Sequence, residues 1–222
     1  IGKLKMFAAD FGHIMPYNPD GFRFSPQTGG GALMDLGVYP ISLAVMLLGK
    51  PDEVFGMCQK SDSGVDMHNV ITLSYKNGCI ANLSSSFSCQ LPNRCWIGGD
   101  GGTIEVKPPM YRPKKFSLNL HKKTGSKNRA ARILKKLPGL KKTAKFISKY
   151  ILNPLSRDHK SNKYPYTGNG YYHEAEAAME AIRNQKMESD VMPLRDSVSV
   201  MEITDELRKQ WNISFPGVDE SI

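Results

Sequence analysis

The stretch from Gly29 to Gly49 constrains the fold of this chain more than any other. It reads GGGALMDLGVYPISLAVMLLG. Three consecutive glycines can adopt backbone dihedrals that are closed to other residues, and they let another segment or a ligand approach closely. Apolar residues then recur at roughly helical spacing, and Gly49 is followed by Lys50 and Pro51, which is typical of a helix end. The sequence therefore predicts a mostly apolar helix that is entered through a glycine turn.

Two residues in this stretch are unusual for a plain core helix. Asp35 and Tyr39 are four residues apart, which places them on one face of the helix, one turn from each other. A carboxylate and a phenol beside a glycine entrance form a plausible acid/base site. The pattern alone equally allows Asp35 to cap the helix and Tyr39 to be a packing residue, because Asp suits the first turn of a helix.

Short segments of β character, separated by turn residues, account for most of the first half of the chain. Asn77-Gly78 predicts a hairpin turn. Gly98–Gly102 predicts another, because it lacks the following helix and the Lys-Ser/Thr pair of a phosphate-binding loop. The predicted strands are residues 3–14, Asp52–Gln59, His68–Tyr75, Cys79–Phe87, Arg94–Gly98, Thr103–Lys107 and Phe116–His121.

Two further helices are predicted near the end of the chain, at Tyr171–Asn184 and Arg195–Gln210. Each has an apolar stripe at helical spacing. The stripes are Ala175, Ala178, Met179 and Ile182 in the first helix, and Val198, Met201, Ile203 and Leu207 in the second. Together these elements predict an α+β fold, a mostly antiparallel open sheet with helices packed on one face.

The motif GGGALMDLGVYP resembles the signature GGGxxxDxGxH at the start of the second domain in the Gfo/Idh/MocA family of oxidoreductases. Tyr39 stands where most members have His, as in the branch of glucose-fructose oxidoreductase and the dimeric dihydrodiol dehydrogenases. The resemblance continues through Gly64–Phe87, Ile97–Val106, Tyr171–Gln185 and the closing VMPLRDSVSVMEITDELRKQ. It implies a sugar, polyol or cyclic alcohol or carbonyl as the substrate.

The resemblance also implies roles for individual residues. Tyr39 would be the general acid/base, and Asp35 would orient the substrate or shape the pocket. Ser42 stands where a second acid is often found, which weakens an assignment to the sugar dehydrogenases. The remaining candidates for the substrate pocket are Gly29, Gly30, Gly31, His13, Arg23, Phe24 and His173. For His13, Arg23, Phe24 and His173 a purely structural role is the alternative.

No GxGxxG turn lies between a strand and a helix, so no Rossmann domain is predicted in this chain. The family carries that domain, with a motif lysine that works with the Tyr or His, ahead of the sheet domain. The expectation is therefore a single C-terminal domain over residues 1–222, inactive alone. NAD or NADP would be bound mainly by the nucleotide domain. The family also implies a homo-oligomer built through the open sheet face.

The net charge of +9 is unevenly distributed. Residues 107–163 hold 18 Lys plus Arg against one acid, Asp158, so the rest of the chain is acidic. A basic helical insertion is predicted at about 122–163. It either packs on the domain with its lysines in solvent, or contacts an anionic membrane or nucleic acid. The alternative function is thus a non-enzymatic dimerisation module that works through this insertion.

The remaining compositional signals point to a cytoplasmic protein. The four cysteines form no CxxC pair, so reduced thiols are expected and no metal site is predicted. No secretory signal pattern opens the chain. A membrane span is not expected, since Asp35 interrupts the longest apolar stretch.

Overall fold

The computed structural model describes residues 1–121 and 157–219. These residues form one eight-stranded sheet in the order β2-β3-β4-β1-β5-β6-β7-β8. The strands are β1 (Leu4–Gly12), β2 (Glu53–Lys60), β3 (Asp66–Ser74), β4 (Ile80–Ser86), β5 (Cys95–Gly99), β6 (Gly102–Val106), β7 (Lys115–His121) and β8 (Arg157–Lys163). The helices are α1 (Val38–Leu48), α2 (Tyr172–Arg183) and α3 (Leu194–Trp211).

The predicted fold class is confirmed, and the predicted strands and helices agree with the observed ones to within two residues at each end. Both glycine-containing turns are hairpins, because Ser74 pairs with Ile80 across the first and Gly99 pairs with Gly102 across the second. The strand order differs from a simple meander in one place. β1 lies between β4 and β5, parallel to β4 and antiparallel to β5.

Helices α1 and α3 cover one face of the sheet. Ile41 and Ala44 of α1 and Ile203 and Leu207 of α3 are buried in the core that these helices share with the strands. Helix α3 crosses β2 so closely that a Cβ on Gly56 would lie 2.5 Å from a methyl carbon of Leu207. A glycine is therefore needed at this crossing.

The apolar stripe predicted for α2 is not packed on the sheet. No residue of α2 is buried, and Met179 and Ile182 are 44% and 74% exposed. In α3, Ile203 and Leu207 are buried as predicted, whereas Val198 and Met201 are exposed. The buried face of α3 is instead completed by Val200 and Trp211.

The predicted basic insertion needs one correction at its end. Residues 157–163 form strand β8, which pairs antiparallel with β7, so this part of the segment is not helical. Its sequence, RDHKSNK, lacks the alternation of apolar and polar residues that indicates a strand. The rest of the insertion, 122–156, lies outside the described residues.

The segment Pro26–Leu48 is helical, long and apolar enough to cross a membrane by length and composition alone. Asp35 therefore does not interrupt it as strongly as the sequence analysis assumed. Half of its most apolar window is buried inside the protein. This burial is the arrangement of a core helix, which packs its apolar side against a sheet.

Candidate active site

The three glycines form a tightly packed turn at the start of the helical segment. The backbone N–H groups of Gly30 and Gly31 donate to the carbonyl oxygens of Ser25 and Arg23, each at 2.9 Å. A Cβ on Gly30 would lie 2.6 Å from the Arg23 carbonyl oxygen, and Gly31 has a φ of +120°. Small size and left-handed backbone are thus both required here. Gly30 and Gly31 are buried and pack against protein rather than lining the cavity described below.

A π-helical turn, Leu33–Gly37, connects the glycines to α1. Such turns are rare and occur frequently at functional sites. Its first backbone N–H, on Leu33, donates at 2.9 Å to the carboxylate of Asp66, which also accepts from the Asn69 side chain at 2.7 Å. Asp66 is 2% exposed, and this burial raises the pKa of its carboxyl to about 6. Sequence reasoning missed Asp66, since it lies on a strand distant in sequence.

Asp35 lies in the π-helical turn and is paired with a predicted pocket residue. The Arg23 Nε donates to Asp35 Oδ2 at 3.0 Å, and both side chains are partly exposed. The Arg23 guanidinium also lies over the ring of Phe22, 4.5 Å from its centroid. These contacts fix the direction of the Asp35 carboxylate and balance its charge.

Tyr39 lies in the first turn of α1 and is 45% exposed. Its ring meets the ring of Phe11 edge-on, with centroids 5.1 Å apart, and it lies 6.2 Å from the ring of Tyr111. Phe11 and Tyr111 stack on each other at 4.7 Å. Burial, followed by the nearby phenol of Tyr171 and the charge of Asp35, raises the pKa of Tyr39 above its ordinary value.

The Tyr39 ring lines a cavity of about 730 Å³, which lies on the helix-covered side of the sheet. Its walls are mostly aromatic, with two cationic residues and one histidine. The lining residues are Phe11, Tyr39, Tyr111, Arg112, Pro113, Lys163, Tyr164, Pro165, Tyr166, Asn169, Gly170, Tyr171 and His173. A pocket of this size, with few polar groups among apolar walls, suits a small organic molecule.

The structure brings only some of the predicted pocket residues to this cavity. His173 lines it, with its Nδ1 3.4 Å from the Glu176 carboxylate. His13 lies behind the cavity, edge-on to Phe11 and hydrogen-bonded to Gln90 at 3.2 Å. Phe24 is buried against Phe87 and belongs to a small core cluster. Gly29 ends the preceding 3-10 turn in the left-handed conformation.

Sequence reasoning missed the wall formed by residues 111–113 and 163–171. The two runs, YRP and KYPYTGNGY, share a high density of aromatic residues and turn formers, which is a usable but weak signal. Two hydrogen bonds hold these segments together. The Tyr166 hydroxyl donates to the Arg112 carbonyl oxygen at 2.6 Å. The Tyr164 N–H donates to the carbonyl oxygen of Lys114, directly after the first run, at 2.9 Å.

Comparison with known proteins agrees with this architecture. Residues 1–105 match the family described as the GFO/IDH/MocA C-terminal domain. The match covers slightly less than half of the chain. The resemblance seen in the glycine signature is thereby confirmed.

Curated relatives extend the similarity over nearly the whole chain. The chain is 26% identical over 219 residues to trans-1,2-dihydrobenzene-1,2-diol dehydrogenase of Oryctolagus cuniculus. The aligned region covers 97% of this chain and 57% of that protein. It is 27% identical over 218 residues to the Mus musculus protein of the same name, covering 97% and 56%. The chain thus spans little more than half the length of these relatives.

Solved structures share the fold. An aldose-aldose oxidoreductase from Caulobacter crescentus, complexed with glycerol, superposes with a TM-score of 0.68 at 17% identity, covering 95% of this chain and 54% of that one. A 3-ketoreductase from Actinomadura kijaniata, in complex with NADP and TDP-benzene, gives 0.64 at 20% identity, covering 94% and 54%. Both similarities concern the fold alone and cover about half of each solved chain.

Proposed function

We propose that this chain is the substrate-binding and catalytic-tyrosine domain of an NAD(P)-dependent oxidoreductase that acts on a sugar, a polyol, or a cyclic alcohol or carbonyl compound. The observation that carries the proposal is the position of Tyr39, which lines an aromatic cavity from the first turn of α1. The curated relatives are dehydrogenases, which supports a reaction of this type.

In the proposed reaction Tyr39 transfers a proton to or from the substrate oxygen. A phenol with an ordinary pKa near 10 exchanges protons poorly at neutral pH, and the surroundings of Tyr39 raise its pKa further. A nearby ammonium group would stabilise the phenolate and lower this pKa. The family resemblance places such a lysine on the nucleotide domain. The chain alone is therefore expected to be inactive.

Asp35 is assigned a positioning role rather than a proton-transfer role. Its carboxylate already accepts a hydrogen bond from Arg23, and the pair stands beside Tyr39 in the adjoining helical turn. A partly exposed, charge-balanced carboxylate is suited to accept a hydrogen bond from a substrate hydroxyl. Arg23 would keep it in the orientation needed for that contact.

When bound, NAD or NADP would supply the hydride chemistry. Among the described residues we find no GxGxxG turn between a strand and a helix, so the dinucleotide would be held mainly by a nucleotide domain of the complete protein. The residues of this chain would bind the substrate, exclude water with the aromatic walls, and hold the proton on the Tyr39 oxygen.

We also propose a cytoplasmic location.

Oligomerisation through the open sheet face is a further part of the proposal. The face opposite α1 and α3 exposes apolar side chains on neighbouring strands, an arrangement that marks interaction sites. Met57 and Val70 are directly paired in register and are 81% and 50% exposed. Phe55, Ile80 and Met6 extend the same face.

Replacing Tyr39→Phe in the full-length oxidoreductase tests the catalytic proposal. The change removes only the hydroxyl, so the aromatic contacts with Phe11 and Tyr111 remain. Because general acid/base groups contribute typically about 10²- to 10⁴-fold, we expect kcat to fall by at least about a hundredfold with little change in dinucleotide affinity. The measurement is steady-state turnover with a panel of sugars, polyols and cyclic alcohols.

Tyr17→Phe is the matched control, since Tyr17 is similarly exposed at 41% but packs on Phe24 away from the cavity. It should leave turnover unchanged. Near-normal turnover of Tyr39→Phe would refute the catalytic role. The rival function, an interaction module working through the basic insertion, concerns residues that lie mostly outside the described part of the chain.

A further inference from the structure

The cavity beside Tyr39 has an unusual distribution of charge. Arg112 and Lys163 line it, and no aspartate or glutamate does so among the described residues. The described residues as a whole carry nearly equal numbers of acidic and basic side chains. The lining of this cavity is therefore selectively cationic, unlike the described surface as a whole.

The two cations are also unpaired within the part of the chain that the structure describes. Neither Arg112 nor Lys163 takes part in a salt bridge among the described residues. Two nearby carboxylates already have partners. Asp35 pairs with Arg23, and Glu176 contacts His173. Positive charge at the cavity thus remains available to a ligand.

The aromatic walls add a second requirement on the ligand. Tyr164 and Tyr171 are 57% and 72% exposed at the cavity, so their rings present uncovered apolar surface. Aromatic rings in a wall favour flat or cyclic ligand groups that stack against them. Lys114 reinforces the positive potential, because its ammonium lies 4.9 Å from the ring centroid of Tyr166, another lining residue.

The cationic wall is built in advance of binding. The Tyr166 hydroxyl donates to the backbone carbonyl of Arg112, and the Arg112 guanidinium lies over the Tyr111 ring at 5.3 Å. Tyr111 in turn stacks on Phe11, beside Tyr39. A wall that is already ordered loses little conformational entropy when a ligand binds, which favours affinity.

We propose that the substrate of this site is a cyclic compound bearing an anionic group, a carboxylate or a phosphate, which is bound by Arg112 and Lys163 while its ring stacks on the tyrosine wall. This inference rests on the proposed function and narrows its substrate class. Arg112 and Lys163 are specificity-determining residues in this scheme, and Tyr39 remains the residue that reaches the reacting oxygen.

The test compares two probes that differ only in charge, 4-hydroxycyclohexanecarboxylate and its carboxamide. Binding to the full-length protein is measured by calorimetry at low salt, with and without bound NADP. A charged hydrogen bond changes affinity by about tenfold or more, so we expect the carboxylate to bind at least about tenfold more tightly than the amide. Added salt should weaken this preference.

Variants locate the preference on the two cations. Arg112→Gln with Lys163→Gln should abolish it, whereas Arg112→Lys with Lys163→Arg, which keeps both charges, should retain most of it. The matched control is the double variant Lys3→Gln, Lys5→Gln. It removes the same number of positive charges at the N-terminal end of β1, whereas Phe11 lies near the C-terminal end of that strand. If the control pair lowers the preference as much, the effect is one of net charge and the proposal is wrong.

Two further outcomes would overturn the proposal. Equal binding of carboxylate and amide by the unmodified protein would show that the cavity does not select charge. A loss of NADP affinity in the Arg112→Gln, Lys163→Gln protein, with an unchanged preference between the probes, would assign the cations to the dinucleotide. Both results come from binding alone, so they are separate from a failure of Tyr39→Phe to lower turnover.

Discussion

At the scale of single residues, the site depends on a phenol whose surroundings work against its proposed chemistry. Burial raises the pKa of Tyr39, and the neighbouring Tyr171 and Asp35 raise it further. Arg112 and Lys163 line the same cavity, yet no cation of the described residues is among the causes of this shift. The proposed proton transfer therefore requires a positive charge from outside the described residues.

The surroundings of Tyr39 predict how its phenol titrates. In the chain studied alone, the phenol should titrate above the ordinary value of about 10, because the charged form is disfavoured. In the full-length protein, a lysine beside it should move the midpoint below 10. The measurement is NMR of Cζ-labelled tyrosine, with Tyr39→Phe identifying the resonance. A midpoint below 10 in the chain alone would show that a cation of this domain, such as Arg112 or Lys163, stabilises the phenolate, and it would contradict the prediction.

The candidate site was only partly predictable from sequence at this scale. Asp35 and Tyr39 were found because helical spacing places them together, and spacing is a local property. The pairing of Asp35 with Arg23, and the position of Asp66 under Leu33, depend on how distant segments pack. Tyr111 and Tyr171 are far apart in sequence, and they line one cavity because β7 and β8 pair between them.

At the scale of elements, local sequence signals predict most of the strands. The pairing of distant segments is not predictable from such signals. Strands β2 to β7 carry alternating side chains and turn residues, which are local signals. The insertion of β1 between β4 and β5 is a pairing choice between distant segments, and nothing in β1 itself indicates it. Strand β8 is almost wholly polar, so its sequence lacks the alternation of apolar and polar residues that would indicate a strand.

Asp66 links the sheet to the π-helical turn and gives this junction a pH dependence. Burial raises the pKa of its carboxyl to about 6, against about 4 in an unfolded chain. Between these values the folded protein binds a proton that the unfolded chain does not. The free energy of unfolding should therefore fall as the pH rises from about 4 to about 6, by up to about 3 kcal/mol, and stay level above that range.

The variant Asp66→Asn tests this prediction, because its amide cannot titrate. The free energy of unfolding is measured with denaturant at pH 4, 5, 6 and 7 for the unmodified protein and the variant. The value for the unmodified protein minus that for the variant should decrease as the pH rises from 4 to 6. Asp62→Asn, on the exposed turn before β3, removes the same charge and is the matched control for the change in net charge. If the Asp66→Asn difference is constant, the carboxyl of Asp66 does not titrate with a raised pKa.

At the scale of the whole molecule, the two faces of the sheet differ in what covers them. The face beneath α1 and α3 carries the core and, near the C-terminal end of β1, the ring of Phe11 at the cavity. The opposite face holds exposed apolar residues on β1 to β4. A contact on that face would leave the cavity uncovered, so assembly and substrate binding are geometrically compatible.

The proposed assembly is tested by placing a charge in the centre of the open face. Met57→Lys should dissociate the oligomer, because an ammonium buried at an apolar interface without a partner is strongly unfavourable. Ile182→Lys is the matched control, since Ile182 is 74% exposed on α2, away from the sheet face. Sedimentation equilibrium of the full-length proteins measures the outcome. If Met57→Lys assembles as the unmodified protein does, the open face is not the interface, and dissociation by Ile182→Lys would point to α2 instead.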